Sequence, residues 1–180
     1  MKIYNADPRI MWSKDVFLRK PSRALTKEEV LSEEFKDILQ LLFESLYEEP
    51  SGVGLAAPQI GLQLQLAVID IKRDGKNPIV LINPEYIPNG EERANSIETC
   101  LSFHNYAGTV ARFASITVKS KDLQFNDVEF QATGFKAFAC QHEIDHLGGN
   151  VYIDKADHVE TSNSYCVRLA ERALSNYIAQ

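Results

Sequence analysis

His142-Glu143-Ile144-Asp145-His146 is the stretch around which the remainder of this 180-residue chain is organised. Residues four apart share one face of a helix, so the two histidines offer two imidazoles to a single divalent cation. Glu143 is turned partly aside, which places a carboxylate beside a water held on that cation. The flanks favour a helix, since Gly134-Phe135-Lys136-Ala137-Phe138-Ala139 leads in without a breaker and Gly148-Gly149 supplies a C-terminal stop. Phe135, Phe138 and Ala139 are expected to hold that helix in the core. A core helix with two satisfied histidines is the plainer reading of the same letters. Metal binding is preferred because a third ligand can be found elsewhere in the chain.

That ligand is sought among three cysteines, Cys100, Cys140 and Cys166. An odd number cannot pair completely within one chain, and in a reducing compartment a cysteine is a ligand, a nucleophile or core filler before it is half of a bridge. Glu98-Thr99-Cys100-Leu101-Ser102 lies between strand-like runs, away from the histidines, with polar neighbours that suit a site more than a core. A thiolate is a good donor to divalent zinc or iron at one vertex of a tetrahedral site. Cys100 is therefore chosen as third ligand beside His142 and His146. Cys140 precedes His142 by two residues and points away from it on a helix, and Cys166 sits in a C-terminal helical pattern, so both are read as small apolar filler.

The balance of 19 basic against 25 acidic residues gives a net charge of −6, which removes the broad electrostatic case for a nucleic-acid substrate. No apolar run approaches bilayer-spanning length, and Met1 to Lys20 mixes Asp7, Trp12 and Asp15 among its basic residues instead of carrying a signal-peptide core. A soluble cytoplasmic protein with no membrane partner is expected. With 44% hydrophobic residues the chain can bury one core and is short for two, so one domain over residues 1–180 is expected.

Residues 1–25 carry turn signals and no period, and are read as a surface-wrapping arm. Thr26 and Glu29 then have capping-box spacing, and Leu31, Phe35, Ile38, Leu39, Leu42 and Leu46 recur at helical intervals until Pro50-Ser51-Gly52, which predicts one amphipathic helix. From Leu64 the period changes to that of strands: Leu66 to Ile71, Ile79 to Ile82, Val110 to Arg112, Ser115 to Lys119 and Val128 to Ala132, with turns at Asp74-Gly75 and Asn89-Gly90. Asn150 to Asp154 reads as a brief extended piece, and a last helix is expected from about Val159. The order points to an α+β fold, an antiparallel sheet packed around the central histidine helix with N-terminal and C-terminal helices.

Gly52-Val53-Gly54-Leu55-Ala56-Ala57-Pro58-Gln59-Ile60-Gly61 sets three glycines among small residues around one amide. Glycine lets a backbone approach a ligand closely, so the segment either presents main-chain groups along a groove, with Gln59 donating to a carbonyl, or is a tight loop packed on a neighbour. No Gly-Lys-Ser/Thr follows, so it is not a phosphate loop.

Three stretches together, Gly52 to Gln59, Glu98 to Ser102 and Gln141 to Leu147, resemble in type and order the signature motifs of the peptide deformylases. The likeness covers most of the chain, including Asn83-Pro84, Arg112 and Asp154. It implies a metal-dependent hydrolase that removes the formyl group from the formyl-methionine of nascent polypeptides and releases formate. By resemblance Glu143, Gln59 and the Leu101 backbone N–H are catalytic. Val53, Gly54 and Thr99 lie along the bound peptide, and the cofactor is one divalent ion with Fe²⁺ favoured; Zn²⁺, Ni²⁺ and Co²⁺ suit the same donors. The partners implied are N-formyl-methionyl peptides and nascent chains in a bacterial-type cytoplasm. Arg168 and Arg172 on the last helix fit either a transient ribosome contact, as in some relatives, or a solvated face.

The chain departs from the family pattern at Thr99, usually Gly, at Ala107, where many bacterial members have an Arg near the peptide, in lacking a Pro soon after Ser102, and at Phe138. These touch substrate preference and rate before reaction type. Glu98 and Arg112 are expected to pair at the surface, and Asp145 to orient a ligating histidine or face solvent. Two other readings compete. One is a zincin-like metallopeptidase, which leaves two motifs unexplained. The other is a catalytically weak relative that binds formylated peptides.

Overall fold

The computed structural model describes residues 16–104 and 106–161. Thr26 caps the first helix as its spacing requires: its Oγ1 accepts from Glu29 N at 3.3 Å while Glu29 Oε2 accepts from Thr26 N at 2.8 Å. The expected single helix is two, α1 (Lys27–Val30) and α2 (Glu33–Glu48). The cause is Ser32, whose hydroxyl donates to Glu29 O at 2.7 Å and accepts from Phe35 N at 3.2 Å, closing one helix and capping the next. Leu31 is thereby turned out, 53% exposed, while Phe35, Leu42 and Leu46 are buried.

Eight strands follow the chain: β1 (Gly54–Ala56), β2 (Leu66–Ile69), β3 (Ile79–Pro88), β4 (Arg93–Glu98), β5 (Tyr106–Phe113), β6 (Ser115–Lys121), β7 (Asp127–Thr133) and β8 (His158–Thr161). They form two sheets, one of five strands in the order β1-β2-β3-β6-β7 and one of three in the order β4-β5-β8, with every neighbouring pair antiparallel. The Asn89-Gly90 turn leads from one sheet to the other instead of closing a hairpin. Within β3 the register breaks between Ile82 and Glu85, where Asn83 takes a φ of 49°. Asn tolerates that left-handed region, and here its amide both accepts from Leu25 N and donates to Leu25 O at 2.8 Å, fastening the segment before α1 to the sheet.

The histidine helix is α3, Gly134–Leu147. One side carries Ala137, Cys140 and Leu147 into an apolar cluster with Ile69, Leu81, Ile116 and Val118; the rest of the circumference includes buried Gln141, Glu143, Asp145 and His146. Cys140 is filler, as expected, and burial pushes its thiol up to about 12. Gln141 joins the helix to β5, donating to Phe113 O at 2.9 Å and accepting from Phe113 N at 3.1 Å. Phe135 and Phe138 are only half-buried. Phe138 packs against that apolar cluster as expected and also lines a cavity; Phe135 lines the same cavity, which corrects its expected place in the core. The helix stops at the two glycines, with Gly149 at a φ of 76° where an added Cβ would sit 2.8 Å from the Lys20 carbonyl carbon.

Beyond α3, the segment expected to be extended contains a 3₁₀ turn, Tyr152–Asp154. Val159 to Thr161, expected to open the last helix, belong to β8, whose pairing with β5 overrides a local pattern that permits helix. Cys166, Arg168, Arg172 and the apolar positions of that expected helix lie outside the described residues. Among the described residues no helix is long and apolar enough to cross a membrane.

Candidate metal centre and peptide groove

Helical geometry alone sets His142 and His146 on one face of α3, with ring centroids 5.0 Å apart. Cys100 comes from the end of β4, where the chain leaves the strand in extended conformation before a 3₁₀ turn, Leu101–Phe103. Its Sγ lies 3.3 Å from His146 Nε2, and one donor atom from each of Cys100, His142 and His146 lies within 4.8 Å of the others. Among the described residues this is the one cluster of three such side chains. Glu143, 4% exposed, leaves Oε2 buried without a hydrogen-bond partner, as does His146 at Nδ1. A thiolate and two imidazoles converging beside an unpartnered carboxylate oxygen fit a divalent ion that carries a water.

The electrostatics agree. Burial opposes a charged His142, yet its contacts with Cys100 and Glu98 outweigh that cost and raise it well above the usual imidazole value. Burial and the neighbouring His142 push His146 the other way. One imidazole is thus favoured in its charged form and the other in its neutral form. Burial raises Glu143 to about 7.

The candidate ligands are braced by a buried ionic chain. His142 Nδ1 meets Glu98 Oε2 at 2.9 Å, leaving Nε2 for the ion. Arg112 donates to both oxygens of Glu98, at 2.7 and 2.8 Å, and to Asp145 Oδ2 at 2.5 Å; Lys155 Nζ donates to Asp145 Oδ1 at 2.6 Å. Arg112 and Glu98 are 3% and 7% exposed, so the pair expected at the surface is internal, and its rupture is correspondingly costly. Burial raises the Glu98 value, but hydrogen bonds from Arg112 and His142 outweigh it and hold the carboxyl at about 2. Asp145 is 7% exposed and reaches the ligands only through Arg112, which corrects both roles expected for it.

Gln59 follows β1 in a short 3₁₀ turn, Ala57–Ile60. Its Oε1 accepts from Ala56 N at 2.9 Å, so its Nε2 must point the other way, to Ser102 Oγ at 3.2 Å and Cys100 Sγ at 3.5 Å. It therefore presents a donor beside the candidate metal ligands. Leu101 opens the 3₁₀ turn after Cys100, a position whose N–H has no partner within the turn.

A cavity of about 100 Å³ opens in front of these groups, lined by residues 51–54, Gln59, residues 96–101 and the α3 side chains Phe135, Phe138, Ala139, His142 and Glu143. Its walls are two sheet edges. Asp70 N donates to Val53 O at 2.8 Å, so in the β1–β2 ladder Val53 faces β2, and the alternation turns the N–H and C=O of Gly54 into the cavity. On β4, Ala114 N donates to Glu92 O at 3.0 Å, and the same alternation turns the main chain of Ile97 outward, with exposed Thr99 beyond it. Gly54 is needed for fit as well, because a Cβ there would lie 2.4 Å from Glu143 Oε1. Of the departures, Thr99 and Phe138 border this space, whereas Ala107 is buried in β5.

The sequence model of the polypeptide deformylase family matches residues 8–162. The chain belongs to the peptide deformylase family. A peptide deformylase of Endomicrobium trichonymphae is 44% identical over 140 residues, 78% of this chain and 80% of that one. Peptide deformylase 1 of Vibrio vulnificus is 37% identical over 145 residues, 81% and 83%. The crystal structure of a peptide deformylase from Thermotoga maritima superposes with a TM-score of 0.75 at 34% identity, covering 83% of this chain and 97% of that one; one from Legionella pneumophila gives 0.76 at 33% and 93% of each. As a member of this family the chain is a metal-dependent hydrolase that removes the formyl group from nascent peptides. The metallopeptidase and binding-only readings fall away.

Proposed function

We propose that Cys100, His142 and His146 hold one divalent ion, that Glu143 carries the proton, and that the formylated peptide lies as an added strand between the edges of β1 and β4. The observation that carries this reading is the convergence of three donor atoms within 4.8 Å beside the unpartnered Glu143 Oε2. When bound, the ion lowers the pKa of its water toward neutrality and polarises the formyl oxygen. Glu143 takes the proton of the attacking water and delivers it to the leaving amine, so formate and a free N-terminus result. Its burial and lack of other partners keep the carboxylate basic enough for both transfers. Gln59 Nε2, its orientation fixed by Ala56 N–H, and the Leu101 N–H donate to the oxygen on which charge develops.

Gly54 and Ile97 supply main-chain groups to the peptide from opposite sides, a mode of binding that does not depend on side-chain sequence. The methionine side chain enters between Val53, Leu101, Phe135 and Phe138. A peptide deformylase from Synechococcus elongatus, solved in complex with actinonin, shares the fold with a TM-score of 0.77 at 27% identity, which supports a ligand-binding groove here. Sulfur and nitrogen donors suit Fe²⁺, favoured by family resemblance, and also Zn²⁺, Ni²⁺ or Co²⁺. A single domain over residues 1–180, acting on nascent chains in a bacterial-type cytoplasm, completes the reading.

The test is formate release from formyl-Met-Ala-Ser by protein purified without oxygen and loaded with Fe²⁺, beside Glu143→Ala and Thr99→Gly. Glu143→Ala is expected to keep its metal and lose turnover; near wild-type turnover refutes the assignment. The Thr99→Gly rate reports whether the Cβ at the rim narrows the groove.

A further inference from the structure

Tyr152 takes no part in the chemistry above, yet it is among the largest fully buried side chains of the chain, 1% exposed. It does not line the groove. Its ring stacks on that of His142, with centroids 5.7 Å apart and planes at 28°. The ring is itself held on several sides. Its hydroxyl donates to Tyr106 O at 2.9 Å, and Phe103 packs against it edge to face at 5.9 Å and 83°. Room for it is made by Gly108, where a Cβ would stand 3.1 Å from Tyr152 Cε2 and 2.9 Å from Ala156 Cβ. Gly108 lies directly across the ladder from Glu98, the residue that bonds His142 Nδ1. The turn is fastened at its end by Lys155, whose Nζ reaches Asp145.

These contacts divide the work of fixing one imidazole. The Glu98 hydrogen bond sets the direction of one ring edge but leaves the ring free to tilt about that bond. A flat face pressed against the imidazole removes the tilt. Because Nδ1 is committed to Glu98, the remaining nitrogen can reach the ion only from a narrow range of ring orientations. We infer that Tyr152 is a positioning residue for the metal, its clamped ring holding His142 in the orientation from which Nε2 binds the ion. The inference rests on the metal reading given under Proposed function.

The experiment uses the full chain loaded with Co²⁺, whose visible absorption reports ligand geometry, and follows release of the ion to a chelator. Tyr152→Leu and Tyr152→Met remove the flat face; Tyr152→Phe keeps it and cuts only the tether. Tyr152→Leu is expected to release cobalt about 10- to 100-fold more readily, with an altered spectrum, while Tyr152→Phe stays within about threefold of wild type. Tyr152→Met fills the volume with a flexible side chain and decides the matter where Tyr152→Leu fails to fold. A folded Leu or Met variant with wild-type release and spectrum overturns the inference, as does a Tyr152→Phe variant as leaky as Tyr152→Leu. His142→Ala serves as control: if it binds cobalt as wild type does, the metal reading has failed and not the role of Tyr152.

Discussion

Replacing Gly54 with alanine should separate stability from catalysis. The added Cβ would lie 2.4 Å from Oε1, 2.9 Å from Cδ and 3.0 Å from Cγ of Glu143. Ordinary contact between such atoms begins near 3.5 Å, so the carboxylate must retreat by about 1 Å. The retreating group is the end of a side chain and not a backbone segment, so the fold gives little and the melting temperature should barely move. On the reading proposed above, the same group carries the proton. A misplacement of about 1 Å at a reacting group costs on the order of 100-fold in rate, equivalent to about 2.7 kcal/mol of barrier. The measurement is kcat for formate release by Gly54→Ala alongside its metal content and thermal unfolding. Turnover within threefold of wild type in a folded, metal-loaded variant would refute the reasoning. A large loss of stability would show that β1, and not Glu143, has moved.

Arg112→Met should destabilise the protein by about 3–5 kcal/mol in denaturant unfolding, because Glu98 and Asp145 are left buried without their shared partner. With Glu98 held at about 2, its contribution to the metal-free protein is complete above the unfolded carboxylate value of about 4.3 and is lost as pH falls from there toward 2, which acid titration of unfolding will follow. Glu143 acts as a base only when ionised, and in the metal-free protein burial, the largest of its influences, raises it to about 7, so kcat/KM should fall on an acid limb. The positive ion beside it favours the carboxylate and shifts that limb below 7 in the loaded enzyme; an activity independent of pH down to 4 would exclude Glu143 as the base. Stripping the metal should lower the melting temperature, with recovery on adding Co²⁺ that rises with the logarithm of its free concentration, since the ion binds the folded site.

Periodicity and punctuation made the histidine helix legible, with its glycine stop, and the aliphatic runs that became β2, β5, β6, β7 and the first part of β3. What escaped was structure decided across the fold. β1 has three residues and borders a groove, and β4 reads Arg93-Ala94-Asn95-Ser96-Ile97-Glu98, polar because one edge is open and the buried face holds an ion pair. Neither alternates in the way that marks a half-buried strand. Ser32 lies between residues of helical spacing, and only its two hydrogen bonds show it to be a cap. Cys100, His142 and His146, which the fold brings within 4.8 Å of one another, were readable as a candidate donor set because each residue type has a recognisable chemistry. The chain from His142 through Glu98, Arg112 and Asp145 to Lys155 joins residues up to 44 apart, and burial, invisible in the letters, is what gives it weight.

Two open sheet edges facing each other are also a hazard, since unpaired edges invite any extended chain to dock. Here the opening is rationed. β1 turns only Gly54 toward the cavity, because Val53 is already paired with Asp70 and the Ala56 N–H is taken by Gln59. On the other side, the approach to β4 is studded with Glu91, Glu92 and Arg93. On the reading proposed above, a polypeptide threaded between them is gripped over its first residues alone, with everything downstream hanging free. A protein working in that way reads where a chain begins and is blind to how long it is, so a tripeptide and a half-finished protein should be processed with comparable efficiency.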